Sequence, residues 1–361
     1  MRILFITSSS INGGAQKHIR EMFKSLTDLG HDMYLVAPSG WLTKELKQYG
    51  NKVIALDVNL KNISMIEKEF DAIKPEITNT FILSGGVVGV ASWKRRKYGK
   101  IFVTVNNPVI YPGISTIGKI LYPRMYRWMS KYASAFLVKA DKVRDEVATV
   151  IRNKKPVISI KNGIDFSVFD KDKMYPDIRE DLGIKKDDFV VTNVANLDIR
   201  KGQQYLIEAA VRLHKKFPMH VLLVGEGEDR GRLVALSKEN GAESYIHFLG
   251  RRSDINTILS NSDIFVLSSL HEGLPNALME AMAMALPCVA TDVGGVKQLI
   301  NESNGLVIEA KSSEAITQAL SFYISNNEKA RMHGREAYKK MINQYEQHKV
   351  VEELVQIYTD F

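Results

Sequence analysis

Short apolar runs of strand character alternate with longer stretches of helical period along this chain, and the alternation starts over once in the middle. Parallel strands need a crossover connection, so strand–helix repetition builds a doubly wound parallel sheet with helices on both faces. In the first half, strands are expected at Arg2–Thr7, Asp32–Ala37, residues 52–56, residues 76–80, Lys100–Val105, Ala135–Val138 and residues 155–160. Helices are expected at residues 15–29, at Ile63–Ile73, and after the glycines at 85, 86 and 89.

The pattern then lapses. Residues 166–188 are polar, hold Pro176 and lack a period, and they read as a linker. Strands resume at Phe189–Val194, Met219–Val224, residues 246–249, Ile264–Leu267 and residues 287–291. Helices are expected at residues 202–216, 229–239, 253–261, 277–285 and 296–300, then at 312–325 and 328–360. The fold class is therefore α/β, with two Rossmann-like doubly wound parallel-sheet domains facing a central cleft. Their expected bounds are 1–165 and 189–345, with 346–361 a terminal helix returning to the first domain. Ligands of such sheets bind beyond the carboxyl ends of the strands.

Length and charge narrow the function. A chain of 361 residues is long enough for two cores. Its single cysteine, Cys288, fits a reducing compartment and reads as a small buried apolar side chain. The N-terminal apolar run is too short for a signal peptide, and no apolar stretch approaches the ~18–20 residues of a membrane span. A cytoplasmic protein is expected. Residues 1–165 carry 26 Lys and Arg against 13 Asp and Glu, whereas residues 166–361 carry 23 against 28. The excess peaks in residues 91–155, with 15 basic side chains against 3 acidic ones. A basic half joined to an acidic half points to an anionic partner for the basic half.

Three stretches carry candidate chemistry. Gly13-Gly14-Ala15 opens the first helix, as a phosphate cradle or a plain tight turn; the third glycine of the dinucleotide fingerprint is missing. Arg200-Lys201-Gly202 lies between a strand and a helix, as a diphosphate clamp or a solvated loop. Ser268 to Glu280 follows the strand Ile264–Leu267. In it Glu272 occupies a loop, Asn276 is a candidate N-cap, and Glu280 falls eight residues on in a nearly apolar helix, where a buried carboxylate needs a partner. No His/Cys cluster has metal-ligand spacing, and no Ser-His-Asp or Cys-His set has nucleophile spacing. Asp170-Lys171-Asp172 has the Asp-x-Asp form of metal-dependent sugar transferases, but it sits in the polar linker and reads as a solvated turn.

Taken together, these residues resemble the family 4 glycosyltransferases of the GT-B fold. The resemblance rests on Glu272 and Glu280 at their seven-residue separation, Lys201-Gly202, Asn162-Gly163-Ile164-Asp165, Phe248-Leu249-Gly250-Arg251 and Val293-Gly294-Gly295. It implies a retaining sugar transfer from a nucleoside-diphosphate donor, with no cofactor and no metal. It further implies that Lys201 neutralises the donor diphosphate, with Arg200 beside it, and that Glu272 contacts the transferred sugar and Glu280 the ribose. Gly250 and Arg251 would meet the base, and Gly13 and Gly14 the diphosphate or sugar from the other domain. Gly273-Leu274-Pro275-Asn276 completes the expected donor site and leans toward a UDP-sugar.

The chain departs from the family pattern at three places. Asn196 stands where an Arg is usual, Asn106-Asn107-Pro108 where a His is usual, and Ala285 where a Gly precedes Leu286-Pro287. Asn196 is kept in the expected donor site, and the change at Ala285 reads as one of packing.

The acceptor is expected on the basic half. Trp93-Lys94-Arg95-Arg96-Lys97 precedes Ser115–Lys131, where Lys119, Arg124, Arg127 and Lys131 are interleaved with Ile120, Leu121, Tyr122, Tyr126 and Trp128. This mixture suits an anionic membrane surface at the inner face of the cell membrane, or an amphipathic helix with a solvated basic face. Lys94, Arg95, Arg96, Arg124, Arg127 and Trp128 are the expected acceptor or membrane residues. The expected partners are a nucleotide-sugar donor and a glycan or lipid-linked acceptor; no nucleic-acid motif is present. Two other readings use the same fold: a non-catalytic partner subunit, which Asn196 and Asn106 keep open, and a sugar-nucleotide epimerase, which would need no acceptor.

Overall fold

The computed structural model describes residues 1–106, 108–110 and 114–361. The chain divides into two units, Met1–Gly163 with Gln347–Phe361, and Ile164–Glu346.

The first unit holds seven strands: β1 (Arg2–Thr7), β2 (Asp32–Ala37), β3 (Val53–Ala55), β4 (Ile77–Phe81), β5 (Lys100–Val105), β6 (Ala135–Val138) and β7 (Val157–Ser159). All pair in parallel in the order β3-β2-β1-β4-β5-β6-β7, so the winding reverses between β1 and β4. Ile3–Thr7 and Ile77–Phe81 are buried throughout, because helices cover both faces. Alternate residues of β1 serve opposite faces. Ile3 and Phe5 pack with Phe23, Leu26 and Tyr358, and Leu4 and Ile6 pack with Ile66, Phe70 and Val88.

The second unit holds β8 (Phe189–Val194), β9 (Met219–Val224), β10 (Ile246–Gly250), β11 (Ile264–Leu267), β12 (Cys288–Thr291) and β13 (Leu306–Ile308). Their order is β10-β9-β8-β11-β12-β13, all parallel, with the reversal between β8 and β11. The short strand β13 was not foreseen from the sequence.

Three expectations need correction. Residues 166–188 are not a free linker: Phe166, Phe169, Tyr175, Ile178 and Leu182 pack on the core of the second unit. The Arg179 guanidinium pins this segment by ion-pairing with Asp263 at 2.9 Å and donating to the carbonyls of Asn261 and Asp188. Its apolar side chains follow no period because they anchor irregular backbone. Second, the long terminal helix is two, Asn327–Gln344 and Gln347–Asp360. Between them the Tyr345 carbonyl accepts from Ile164 N–H at 2.7 Å, where the chain leaves one unit for the other. Third, the helix Leu83–Arg96 starts before its glycines and contains them. A Cβ on Gly89 would lie 2.5 Å from Thr80 Cγ2 and one on Gly85 3.1 Å from Ser8 N, so the glycines let this helix press onto the sheet. Asn162-Gly163 lies where the chain passes from one unit to the other, and a Cβ on Gly163 would stand 2.0 Å from Gln347 Oε1.

The last helix belongs to the first unit. Val351, Leu354 and Tyr358 enter its core, and Asn79 Nδ2 donates to the buried Tyr358 hydroxyl at 2.7 Å. Among the described residues, no helix is long and apolar enough to cross a membrane.

Candidate functional site

The site in the second unit is built where the winding reverses, on the loops that follow β8 and β11. After β8 the chain makes a 3-10 turn at Ile199–Lys201, capped by Asp198, whose side chain accepts from Arg200 N–H. Gly202 then takes φ +61, and a Cβ there would lie 2.3 Å from the Ser268 carbonyl. Glycine permits both the backbone and the contact. The two loops are laced together: Leu270 N–H donates to the Arg200 carbonyl at 2.7 Å, and Ser268 Oγ donates to the Lys201 carbonyl at 2.9 Å.

This lacing brings Lys201 to Glu272, Nζ to Oε1 at 2.7 Å. Ser269 Oγ donates to the same oxygen at 2.6 Å. The pair is mostly shielded, with side chains 21% and 12% exposed. Ser269 is itself held, since Thr291 Oγ1 at the end of β12 donates to its carbonyl at 2.5 Å. Gly294 closes the back of the loop: a Cβ there would stand 2.1 Å from the Glu272 carbonyl, and Gly295 N–H donates to the Gly273 carbonyl at 2.7 Å. A cation and a carboxylate thus sit at the crevice where open α/β sheets bind ligands.

The other expected site residues of this unit have these surroundings. Arg200 points to solvent, 67% exposed, and forks onto Asp198 with two contacts of 3.1 Å. The hydrogen bond to Asp198 raises its pKa further, so its charge is permanent but already matched. Asn276 is the first helical residue of Asn276–Ala283, and Pro275 holds the N-cap position. Proline supplies the extended backbone needed there, so Asn276 does not cap. Glu280 is half-buried rather than fully buried, on the less covered side of that helix with Asn276, while Ala277 beside them packs on the core. Leu274 packs against the core, and Gly273 lies between Glu272 and it. Asn196 is exposed and uses its carbonyl to accept from Gln203 Nε2 at 2.9 Å. Gly250 ends β10 at φ +67 after a register shift, and Arg251 is exposed beyond it, two strands from Lys201.

In the first unit, Gly13 caps the helix Gly14–Asp28 with extended backbone at φ −146, so neither glycine is there for a left-handed turn. Ser8 Oγ and Ser84 Oγ lie 2.6 Å apart, spanning the reversal between β1 and β4. Of the three departures, Ala285 is one of backbone rather than packing: it holds φ +58, the conformation in which a glycine is unstrained. Asn107 of the Asn106-Asn107-Pro108 stretch lies outside the described residues.

The basic stretch is less free than its count suggests. Arg95 and Arg96 pair with Glu67, Arg96 also with Asp71, and Lys94 lies 4.9 Å from the Tyr132 ring. Trp128 is half-buried and edges onto Tyr132, and Arg127 Nε donates to the Val150 carbonyl. The open face belongs to the helix Thr116–Met129, where Ile117, Ile120 and Leu121 are exposed beside Lys119, Arg124 and Arg127. Sequence reasoning missed Ser269 and Thr291 as supports of Glu272. The Ser lies three residues before it, but nothing along the chain marks Thr291. Among the described residues, no three His, Cys, Asp or Glu side chains group so as to hold a metal ion.

Known proteins resemble this chain in sequence and in fold. The family model described as Glycosyltransferase Family 4 matches residues 12–168, and Glycosyl transferases group 1 matches residues 174–340. A putative glycosyltransferase, EpsD, of Bacillus subtilis is 27% identical over 84% of this chain and 81% of its own. The N,N'-diacetylbacillosaminyl-diphospho-undecaprenol alpha-1,3-N-acetylgalactosaminyltransferase of Campylobacter jejuni is 25% identical over 99% of this chain and 98% of its own. The crystal structure of Anabaena HepE in complex with UDP superposes with a TM-score of 0.88 over 100% of both chains, at 19% identity. Two parallel Rossmann-like sheets with that likeness define a GT-B glycosyltransferase. Within that class, the chain belongs to the family 4 glycosyltransferases.

Proposed function

We propose that this enzyme transfers a sugar, with retention and without a metal, from a UDP-sugar to a lipid-linked or polysaccharide acceptor at an anionic membrane surface. The observation that carries the reading is the Lys201–Glu272 pair at the reversal between β8 and β11. Lys201 is a compact charge on a flexible stem, placed to leave Glu272 for a diphosphate oxygen when the donor enters. A cation aimed at the leaving group stabilises charge that develops only as the sugar–phosphate bond breaks. The N-terminus of the helix Asn276–Ala283 adds positive partial charge. Glu272, released, accepts from a hydroxyl of the transferred sugar, and Glu280 on the less covered side of that helix serves the ribose.

The reading uses no protein nucleophile. The acceptor hydroxyl attacks the anomeric carbon from the face that the diphosphate leaves. Its proton passes to a leaving phosphate oxygen, which balances the step. The membrane reading is supported by the exposed apolar and basic face of Thr116–Met129, where each Lys or Arg adds about 1 kcal/mol near an anionic surface. The UDP in the HepE crystal and the diphospho-undecaprenol in the name of the Campylobacter relative agree with the donor and acceptor proposed.

A thermal-shift series with UDP, GDP and ADP tests the donor site. UDP raises the melting temperature equally with and without EDTA, and Lys201→Ala removes the shift. A shift that needs a divalent ion, or no shift with UDP, overturns the reading.

A further inference from the structure

The first unit buries a second basic cluster, which the donor site does not use. Lys139 directly follows β6, and its Nζ touches Nε2 of His18 on the helix Gly14–Asp28. Both side chains are buried. Among the described residues, no carboxylate lies within ion-pair distance of Lys139. Asn106 directly follows β5, and β5 and β6 run in register with Val105 opposite Val138, so Asn106 and Lys139 leave the sheet at the same level. Asn106 Nδ2 is buried and has no hydrogen-bond partner. Lys139 and His18 are in contact, and Asn106 leaves the neighbouring strand at the level of Lys139, so three donor-bearing groups lie at this end of the sheet, with no carboxylate paired to Lys139 among the described residues.

Burying these groups together is costly. Burial pushes the Lys139 ammonium well below its ordinary pKa, and burial followed by Lys139 pushes down the His18 imidazole. A buried amine whose charged form lacks a counter-ion and an orphaned amide donor both call for an acceptor anion. A phosphoryl group presents several oxygens around one centre and suits donors that arrive from three separate elements.

We propose that Lys139, His18 and Asn106 form a phosphoryl-binding subsite of the first unit, which holds a phosphate-bearing acceptor and is distinct from the donor diphosphate site at Lys201. The proposal rests on the reading of the chain as a transferase that uses a UDP-sugar and a phosphorylated acceptor.

Calorimetric titration of inorganic pyrophosphate into the full chain saturated with UDP tests it. Pyrophosphate binds the UDP-saturated protein, and Lys139→Met weakens that binding about ten-fold or more while leaving UDP affinity unchanged. Asn106→Ala weakens it by a smaller factor and serves should Lys139→Met fail to fold. Pyrophosphate affinity that is the same in wild type and both variants overturns the subsite. So does a loss of UDP affinity in Lys139→Met, which assigns the cluster to the donor. If UDP does not bind the wild type, the donor reading fails by itself; pyrophosphate titrated into Lys201→Ala then decides the subsite, and binding that Lys139→Met abolishes sustains it.

Discussion

Lys201 Nζ and Glu272 Oε1 lie 2.7 Å apart although 71 residues separate them in the chain. The contact exists because two glycines, Gly202 and Gly294, allow the loops after β8 and β11 to lie against neighbouring backbone. The carboxylate oxygen that holds Lys201 also accepts from Ser269, so one atom collects two donors. On the function proposed, the ammonium held this way exchanges this carboxylate for a donor diphosphate.

Glu272→Gln keeps the shape of that side chain and removes its charge. Turnover is expected to fall about 100-fold, on the order of a lost charge contact in the transition state. UDP affinity stays level or rises, because Lys201 is freed. Steady-state kinetics beside calorimetry with UDP separates the two effects, and equal losses in both count against the pairing described.

Ser269 acts through Glu272. Ser269→Ala should lower kcat/KM by roughly 5- to 10-fold, the worth of one hydrogen bond to a charged group. Ser269→Thr, which restores the hydroxyl, should recover most of it. A merely structural role predicts instead that both variants lose stability and that Thr gives no rescue; urea melts of the two decide the point.

Arg200 and Lys201 are neighbours with different environments. Arg200 is exposed and forked onto Asp198, so Arg200→Ala is expected to change UDP affinity less than about three-fold and stability by under about 1 kcal/mol. Lys201→Ala should weaken UDP at least ten-fold. Parallel titrations of the two variants check this, and equal losses would place Arg200 on the diphosphate after all.

Ala285 is held at φ +58, at the turn between the helix Asn276–Ala283 and β12. Ala285→Gly should relieve about 0.5–1 kcal/mol and raise the melting temperature by roughly 2–4 °C. Scanning calorimetry on the variant is enough, and a lower melting temperature refutes the strain.

Acid should destabilise the fold through buried bases. His220 Nδ1 lies 3.0 Å from His247 Nε2, and His220 Nε2 lies 3.2 Å from Asp188. Burial lowers the His220 pKa more than Asp188 raises it, with His214 and Arg179 lowering it further; burial and His220 lower that of His247. A base with a depressed folded-state pKa takes its proton first in the unfolded chain. Stability therefore drops as pH falls below about 6.5 and levels off below the folded-state pKa. Urea midpoints at pH 7.5 and 5.5 should differ, and His247→Gln should shrink the difference. An unchanged difference in that variant would exclude the pair as its source.

Much of this architecture was legible along the chain, for a simple reason. Parallel strands covered on both faces are near-continuous apolar runs, and residues 3–6 and 221–224 show themselves as such with no neighbour consulted. The motif residues Lys201, Glu272 and Glu280 were likewise singled out by type and spacing. Only the tertiary structure decided which of them meet. It left Arg200 on Asp198, turned Glu280 to the less covered side of its helix, anchored residues 166–188, and ended one helix at Gln344 so that another could return to the first unit. It also gathered Thr291, Ser269 and Glu272 into one support, and Lys139 with His18 across 121 residues. Secondary structure is local and is written as a period. A site is a set of loop ends brought together by sheet order, and sheet order follows from packing between residues far apart in sequence.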